Sequence, residues 1–273
     1  MSNQYISIAQ AIEKVELANK IFQQNKNDYQ NRPKDKIRKV GKVLLERKYE
    51  FAKVISSEMG KPVYESLAEI EKSALNCDFY ADNCDEFLKD RFYSTERYDA
   101  IVRNEPLGVI LGIMPWNFPF WQVFRFAVPT ILAGNTIVVK HASNVPQSAH
   151  LIEEIFLEAG FEAGTYLNLS LKSDDVEAII ENPMIKAVSL TGSEKAGSSV
   201  ASIAGKNIKK SVLELGGSNA FIVMNDADLD NIMEKAMNAR FRNAGQSCIA
   251  AKRYLIQDGI YDEFLKRFTE RVK

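Results

Sequence analysis

The stretch LGVILGIMPWNFPFWQVFRFAVPTILAGNTIVVKHASN, residues 107–144, decides the fold. Two short apolar runs, 109–114 and 136–139, enclose a helix-length segment over 120–133. Strands buried on both faces read as continuous apolar runs, and parallel pairing needs a crossover of about this length between them. The unit repeats downstream. Strands are expected over 166–169, 187–190 and 212–215, with helices over 147–159, 174–181 and 195–204. This alternation predicts an α/β fold, a doubly wound parallel sheet that binds its ligands at the carboxyl ends of the strands.

Upstream of the sheet, Ile8, Ile12, Val15, Ala18 and Phe22 recur at helical spacing. So do Ile37, Val40, Leu44, Phe51 and Ile55, in a segment that opens near Pro33 and stops near Gly60, and a further periodic segment covers 62–88. Two or three amphipathic helices are expected before the first strand. Over 91–105 the helical period is lost, and Phe92-Tyr93-Ser94-Thr95 and Ala100-Ile101-Val102 have the composition of an exposed hairpin inserted before the sheet. After Gly216 and Gly217 a second α/β unit begins, with strands over 220–223 and 254–256 and helices over 229–242 and 261–272.

The chain of 273 residues is 46% hydrophobic and 26% charged, enough for a large buried core and one large or two small domains. A net charge of −1 removes the long-range pull toward nucleic acid or anionic membrane surfaces that a basic chain would have. No apolar run approaches a membrane span, and residues 1–9 hold no basic segment followed by an apolar core, so a cytoplasmic protein is expected. No metal site is indicated. Cys77 and Cys84, seven apart on an expected helix, have Cα atoms about 10 Å apart, beyond the roughly 7 Å a disulfide tolerates. They read as packed thiols. Cys248 follows Asn243-Ala244-Gly245-Gln246-Ser247, a small, polar, glycine-containing setting that suits a nucleophile better than a core filler.

Four other segments at or after strand ends hold residues able to do chemistry. Asn117, in Pro115-Trp116-Asn117-Phe118-Pro119, can present a side-chain N–H to an oxyanion or simply form a turn. Lys140, in Lys140-His141-Ala142-Ser143-Asn144, can reach a ribose or phosphate or end as a solvated strand terminus. In Thr191-Gly192-Ser193-Glu194-Lys195-Ala196-Gly197, Ser193 can bind a phosphate at a helix N-terminus or only cap the helix. Glu214, between Leu213 and Leu215 at the end of an apolar strand, is expected to be buried with a raised pKa and to act as a general base, or else to pair with Lys or Arg.

Together, the words PWNFP, TGS, LELGG and GQSC, in this order and with 34 positions between Glu214 and Cys248, resemble the aldehyde dehydrogenase superfamily over essentially the whole chain. The resemblance implies a Rossmann-like cofactor domain over 1–90 and 106–215, an oligomerisation hairpin over 91–105, and the N-terminal part of a catalytic domain over 216–273. It implies that Cys248 attacks the aldehyde carbon, that Asn117 and the Cys248 backbone N–H hold the oxyanion, and that Glu214 activates the hydrolytic water. Trp116, Lys140, Ser143, Gly192, Ser193 and Gly197 would hold the cofactor, NAD(P). Ser143 stands where many NAD-preferring members carry a ribose-binding Glu, so a 2′-phosphate is not repelled and NADP is tolerated.

Arg125 and Arg242 match positions at which succinate-semialdehyde dehydrogenases of bacteria place arginines around the substrate carboxylate. The implied substrate is a small aldehyde, succinate semialdehyde, with glutarate semialdehyde as the alternative because one methylene discriminates weakly. Ala250 replaces a second cysteine found in some members, which excludes their redox switch. Only 25 residues follow Cys248, and the family's E-x-F-G-P segment and terminal strand are not among them. The resemblance therefore implies a truncated chain, homo-oligomeric in full-length form. For these 273 residues alone it leaves weak or absent turnover, or a non-catalytic nucleotide-binding fragment, and an exposed apolar face.

Overall fold

The computed structural model describes residues 5–28 and 31–273; residues 1–4 and 29–30, within the segment assigned above to the cofactor domain, lie outside the described residues. Its centre is β3 (Val109–Met114), which pairs in parallel with β4 (Thr136–His141) on one side and β6 (Ile185–Gly192) on the other. Outside these lie β5 (Tyr166–Asn168) and β7 (Lys210–Leu215), giving the order β5-β4-β3-β6-β7. The chain winds outward from β3 in one direction and returns to start again at β6. The strand order therefore reverses between β3 and β6, and a crevice opens at their carboxyl ends.

The pleat divides each central strand between two cores. Ile110 and Met114 face a cluster shared with Ile137, Val139 and the side chains of helices α2 (Lys34–Glu46), α3 (Lys48–Met59), α4 (Val63–Phe87), α5 (Trp121–Leu132) and α6 (Pro146–Glu158). Val109 and Leu111 face the opposite cluster, with Val138, Val188 and Leu190, under α1 (Ile8–Asn25), α7 (Val176–Glu181) and α8 (Glu194–Lys206). With both faces covered, apolar side chains at consecutive positions all find cover, which is why the stretch opening at Leu107 reads as an unbroken run.

Among the described residues four α-helices precede the sheet, where two or three were expected. The segment between Pro33 and Gly60 breaks at Arg47, whose φ of −104° and ψ of 15° leave the helical region. Arg47 pairs there with Glu50 and Glu158 at 2.8 Å each, an arrangement no hydrophobic pattern reveals. Gly60, at φ 77°, ends α3 in the left-handed region that glycine adopts freely. The expected hairpin forms, with β1 (Arg91–Ser94) antiparallel to β2 (Asp99–Val102). Beyond β7, the parallel pair β8 (Asn219–Val223) and β9 (Ala251–Ile256) packs with α9 (Leu229–Phe241) and α10 (Asp258–Val272) around Val223, Met233 and Phe264. Cys77 and Cys84 are free and buried on α4. No helix among the described residues is long and apolar enough to cross a membrane.

Candidate active site

Several of the polar residues singled out by sequence gather around the crevice between β3 and β6. The segment after β3 carries Trp116 and Asn117, the end of β6 carries Gly192 and Ser193, and β7 carries Glu214. These residues line one cavity of about 430 Å³ together with Gly245, Gln246, Ser247 and Cys248. A second cavity, about 280 Å³, is lined by Phe118, Trp121, Arg125, Arg242, Glu65, Lys72 and again Cys248. Cys248 thus belongs to the wall of both.

The loop leading to Cys248 is strained. Asn243, Ala244 and Gly245 have φ of 60°, 53° and 75°, a left-handed run that two of the three adopt against their Cβ atoms. Side chains hold it in place. The Asn243 Nδ2 donates to the Asn117 carbonyl at 2.8 Å and to the Gln246 carbonyl at 3.0 Å. Asn117 Nδ2 donates to the same Gln246 carbonyl at 3.0 Å, so the PWNFP loop and the cysteine loop are bonded to each other in both directions. An amide nitrogen has two N–H groups, and one of those on Asn117 remains for another acceptor.

Beneath Asn117 lies a buried ion pair. Glu69 Oε1 accepts the backbone N–H groups of Phe120 and Trp121, at 2.8 and 2.9 Å, at the start of α5. Its other oxygen pairs with Lys61, and the Lys61 ammonium sits 4.6 Å from the Phe118 ring centre. Burial pushes the Glu69 carboxyl up, against the opposing pull of Lys61 and the two N–H groups. Sequence reading passed over Glu65, Glu69 and Lys72, although their spacing of four and then three on α4 puts them on one helix face. Asn243 lay within a quoted motif without a role.

Glu214 is not buried as expected, although it makes the pairing with Lys or Arg that was the alternative reading. It lies on the edge strand β7 and is half exposed, with its Oε1 2.7 Å from Arg125 Nη2. The flanking leucines suggested an apolar surround, but β7 has a neighbour on one side only, and its side chains are largely exposed. Arg125 thereby links the two cavities. Arg242 and Lys72 have no acidic partner within ion-pair distance among the described residues. Burial, then Arg242 and Arg125, lower the Lys72 pKa. The lining of the 280 Å³ cavity thus holds three cations, Arg125 among them paired with Glu214, and two carboxylates, Glu65 and Glu69, the second paired with Lys61.

The remaining expected cofactor residues surround the strand ends. Lys140 is mostly buried at the end of β4, where burial lowers its pKa, and its Nζ donates to Ser173 Oγ at 3.4 Å. Ser143 is exposed and lines a larger cavity, about 760 Å³, with His141, Ala142 and Leu169. Glu50, which also borders that cavity, is neutralised by Arg47. Ser193 caps α8 by accepting the Ala196 N–H at 3.2 Å. Gly197 faces β7: a Cβ there would meet Leu215 Cδ2 at 2.6 Å, so its smallness admits the strand's side chain.

Comparison with known proteins gives the family of the chain. The model of the aldehyde dehydrogenase family matches residues 3–273. A probable NADP(+) succinate-semialdehyde dehydrogenase of Synechocystis is 49% identical over 234 residues, which is 86% of this chain and 52% of the relative. A succinate semialdehyde dehydrogenase [NAD(P)+] of Escherichia coli is 47% identical over 86% of this chain and 51% of its own length. The succinic semialdehyde dehydrogenase of Streptococcus pyogenes, solved in complex with NADP+, superposes with a TM-score of 0.94 at 37% identity, covering 98% of this chain and 59% of that one. The chain spans about half the length of the curated relatives it matches. With nearly its whole length matched by the family model, this chain belongs to the aldehyde dehydrogenase family.

Proposed function

We propose that this chain carries the nucleophile, oxyanion donors and cofactor cradle of an NAD(P)-dependent dehydrogenase acting on succinate semialdehyde. The observation that carries the proposal is the position of Cys248 in the wall between a cation-lined cavity and the crevice where the strand order reverses. A short aldehyde with a distal carboxylate fits the first cavity: its charge goes to Arg125, Arg242 and Lys72, and its carbonyl to the thiol. Arg125 is already met by Glu214 and Glu69 by Lys61, which leaves Arg242 and Lys72 without an ion-pair partner among the described residues, and cations left without an acid favour an anionic occupant.

The Cys248 thiolate adds to the aldehyde carbon, and the carbonyl electrons move to oxygen. The resulting alkoxide is held by the free N–H of Asn117 and the Cys248 backbone N–H. Collapse of this thiohemiacetal expels hydride from the carbon and leaves a thioester on Cys248. Glu214, in the wall of the same cavity, takes a proton from the water that hydrolyses the thioester, releasing the acid and the thiolate. A nicotinamide dinucleotide, when bound, supplies the hydride acceptor. The residues present suit one: the crevice lies at the switch point, the thirteen-residue α8 points its N-terminus there behind Ser193, and Lys140 offers an ammonium without a carboxylate partner among the described residues.

The hydroxyl of Ser143 leaves room for a 2′-phosphate, and the relatives' NADP dependence supports its acceptance. The hairpin over 91–105 is proposed as an oligomerisation arm, and residues 1–90 and 106–215 as the cofactor domain.

The decisive experiment is steady-state reduction of NADP+ and NAD+ by succinate semialdehyde in the protein at its full natural length. Cys248→Ala is expected to lower turnover by roughly a thousandfold or more while leaving dinucleotide affinity within about twofold. Turnover that survives the substitution would overturn the assigned nucleophile. Equal efficiency with butanal would overturn the assigned substrate class.

A further inference from the structure

Helix α4 reaches both loops of the site. Glu69 holds the start of α5 through the Phe120 and Trp121 N–H groups. One turn earlier on the same face, Glu65 extends to the cysteine loop, where its Oε1 accepts the backbone N–H of Asn243 at 3.0 Å, across 178 positions of sequence. Asn243 is the first of the left-handed residues, and its side chain ties the Asn117 and Gln246 carbonyls together. Non-glycine residues in this region are strained and persist only where the surroundings over-determine them. The Glu65 carboxylate supplies the bond to the one backbone donor at the start of that run.

We propose that Glu65 is a positioning residue for the nucleophile: by accepting the Asn243 N–H it holds the left-handed turn, and hence Cys248, at a fixed distance from Asn117. The inference rests on the reading of Cys248 as nucleophile and Asn117 as oxyanion donor. The second oxygen of Glu65 supports it. Oε2 is buried with no hydrogen-bond partner among the described residues, in the cavity wall that also contains Cys248 and Arg242. An unpartnered buried oxygen is unfavourable, so an apolar or shorter side chain would serve packing better. An acceptor at this distance from α4 requires the arm that glutamate or glutamine provides.

The test is the rate at which iodoacetamide alkylates Cys248, located by peptide mapping, since Cys77 and Cys84 are buried. Glu65→Ala, which removes the acceptor, is expected to free the loop and speed alkylation at least fivefold. Glu65→Asp, which shortens the arm, is expected to do so at least threefold and keeps the test readable if the Ala variant does not fold. Glu65→Gln retains a carbonyl acceptor of the same reach and is expected to stay within twofold of the native rate. Alkylation of the folded Ala and Asp variants below those thresholds, or a Gln variant as fast as Asp, overturns the proposal. The reaction uses neither aldehyde nor dinucleotide, so its failure is separable from failure of the substrate reading. In turnover, the same series is expected to lower kcat about tenfold for Ala with KM within threefold, and Gln to restore it.

Discussion

His141 shows what a single buried group imposes. It ends β4 and is buried; its Nε2 shares a hydrogen bond with the Tyr166 hydroxyl at 2.9 Å, and Nδ1 has no partner among the described residues. Burial, with a smaller push from Lys140, lowers its pKa to about 3, so the imidazole is neutral in the folded chain. Unfolding returns it to the ordinary histidine value of about 6.5. Between those values the unfolded chain binds the proton and the folded chain does not, so stability is full above about pH 6.5 and falls as the pH drops toward 3. Stability is expected to decline by on the order of 2 kcal/mol between pH 6.5 and 5 from this residue alone. Denaturant titrations at both pH values check it. His141→Gln should flatten the slope by about one proton, and an unchanged slope would refute the assignment.

At the scale of elements, α4 governs the site through Lys61–Glu69 and Glu65, none of them conspicuous in sequence. The ion pair is fully enclosed, and a lone buried charge is far costlier than a buried pair. Lys61→Met alone is therefore expected to cost about 3–5 kcal/mol, because it strands Glu69. Adding Glu69→Gln, which keeps an acceptor for the Phe120 and Trp121 N–H groups, should recover a large part of that loss. Chemical denaturation of the two variants measures the difference, and a double variant no more stable than Lys61→Met would show that the stranded charge is not the cause. The strands and their parallel arrangement followed from apolar runs and crossover lengths, whereas their order came only from the structure, and Cys248, Asn117 and Arg125 were picked out as candidates by their motifs. Glu69 and Asn243 stayed hidden because their partners are backbone N–H and carbonyl groups of distant segments, which every residue type carries. Glu214 was placed correctly on its strand yet given the wrong surroundings, since local sequence does not tell an edge strand from a central one.

The whole molecule has one well-enclosed half and one open one. Around β3 and β4 the strands are buried on both faces, whereas β7, β8 and the segments before β7 and β9 leave large apolar side chains in solvent. Ile208 is 96% exposed, Ile249 72%, Ile222 65% and Val212 61%. Single exposed apolar residues are ordinary, but several along one stretch of chain, 208–249, exceed what soluble monomers commonly leave uncovered. Net charge does little to oppose this, because at −1 the chain lacks the self-repulsion that keeps highly charged proteins apart. Expressed as residues 1–273, the protein is expected to self-associate in a concentration-dependent way, seen as a rise in scattering mass across a dilution series. Replacing Val212 and Ile222 with Lys, both outside the two cavities around Cys248, should shift that series toward the monomer without altering the alkylation rate of Cys248. A native chain that stays monomeric over the whole series would show that this apolar face does not drive association.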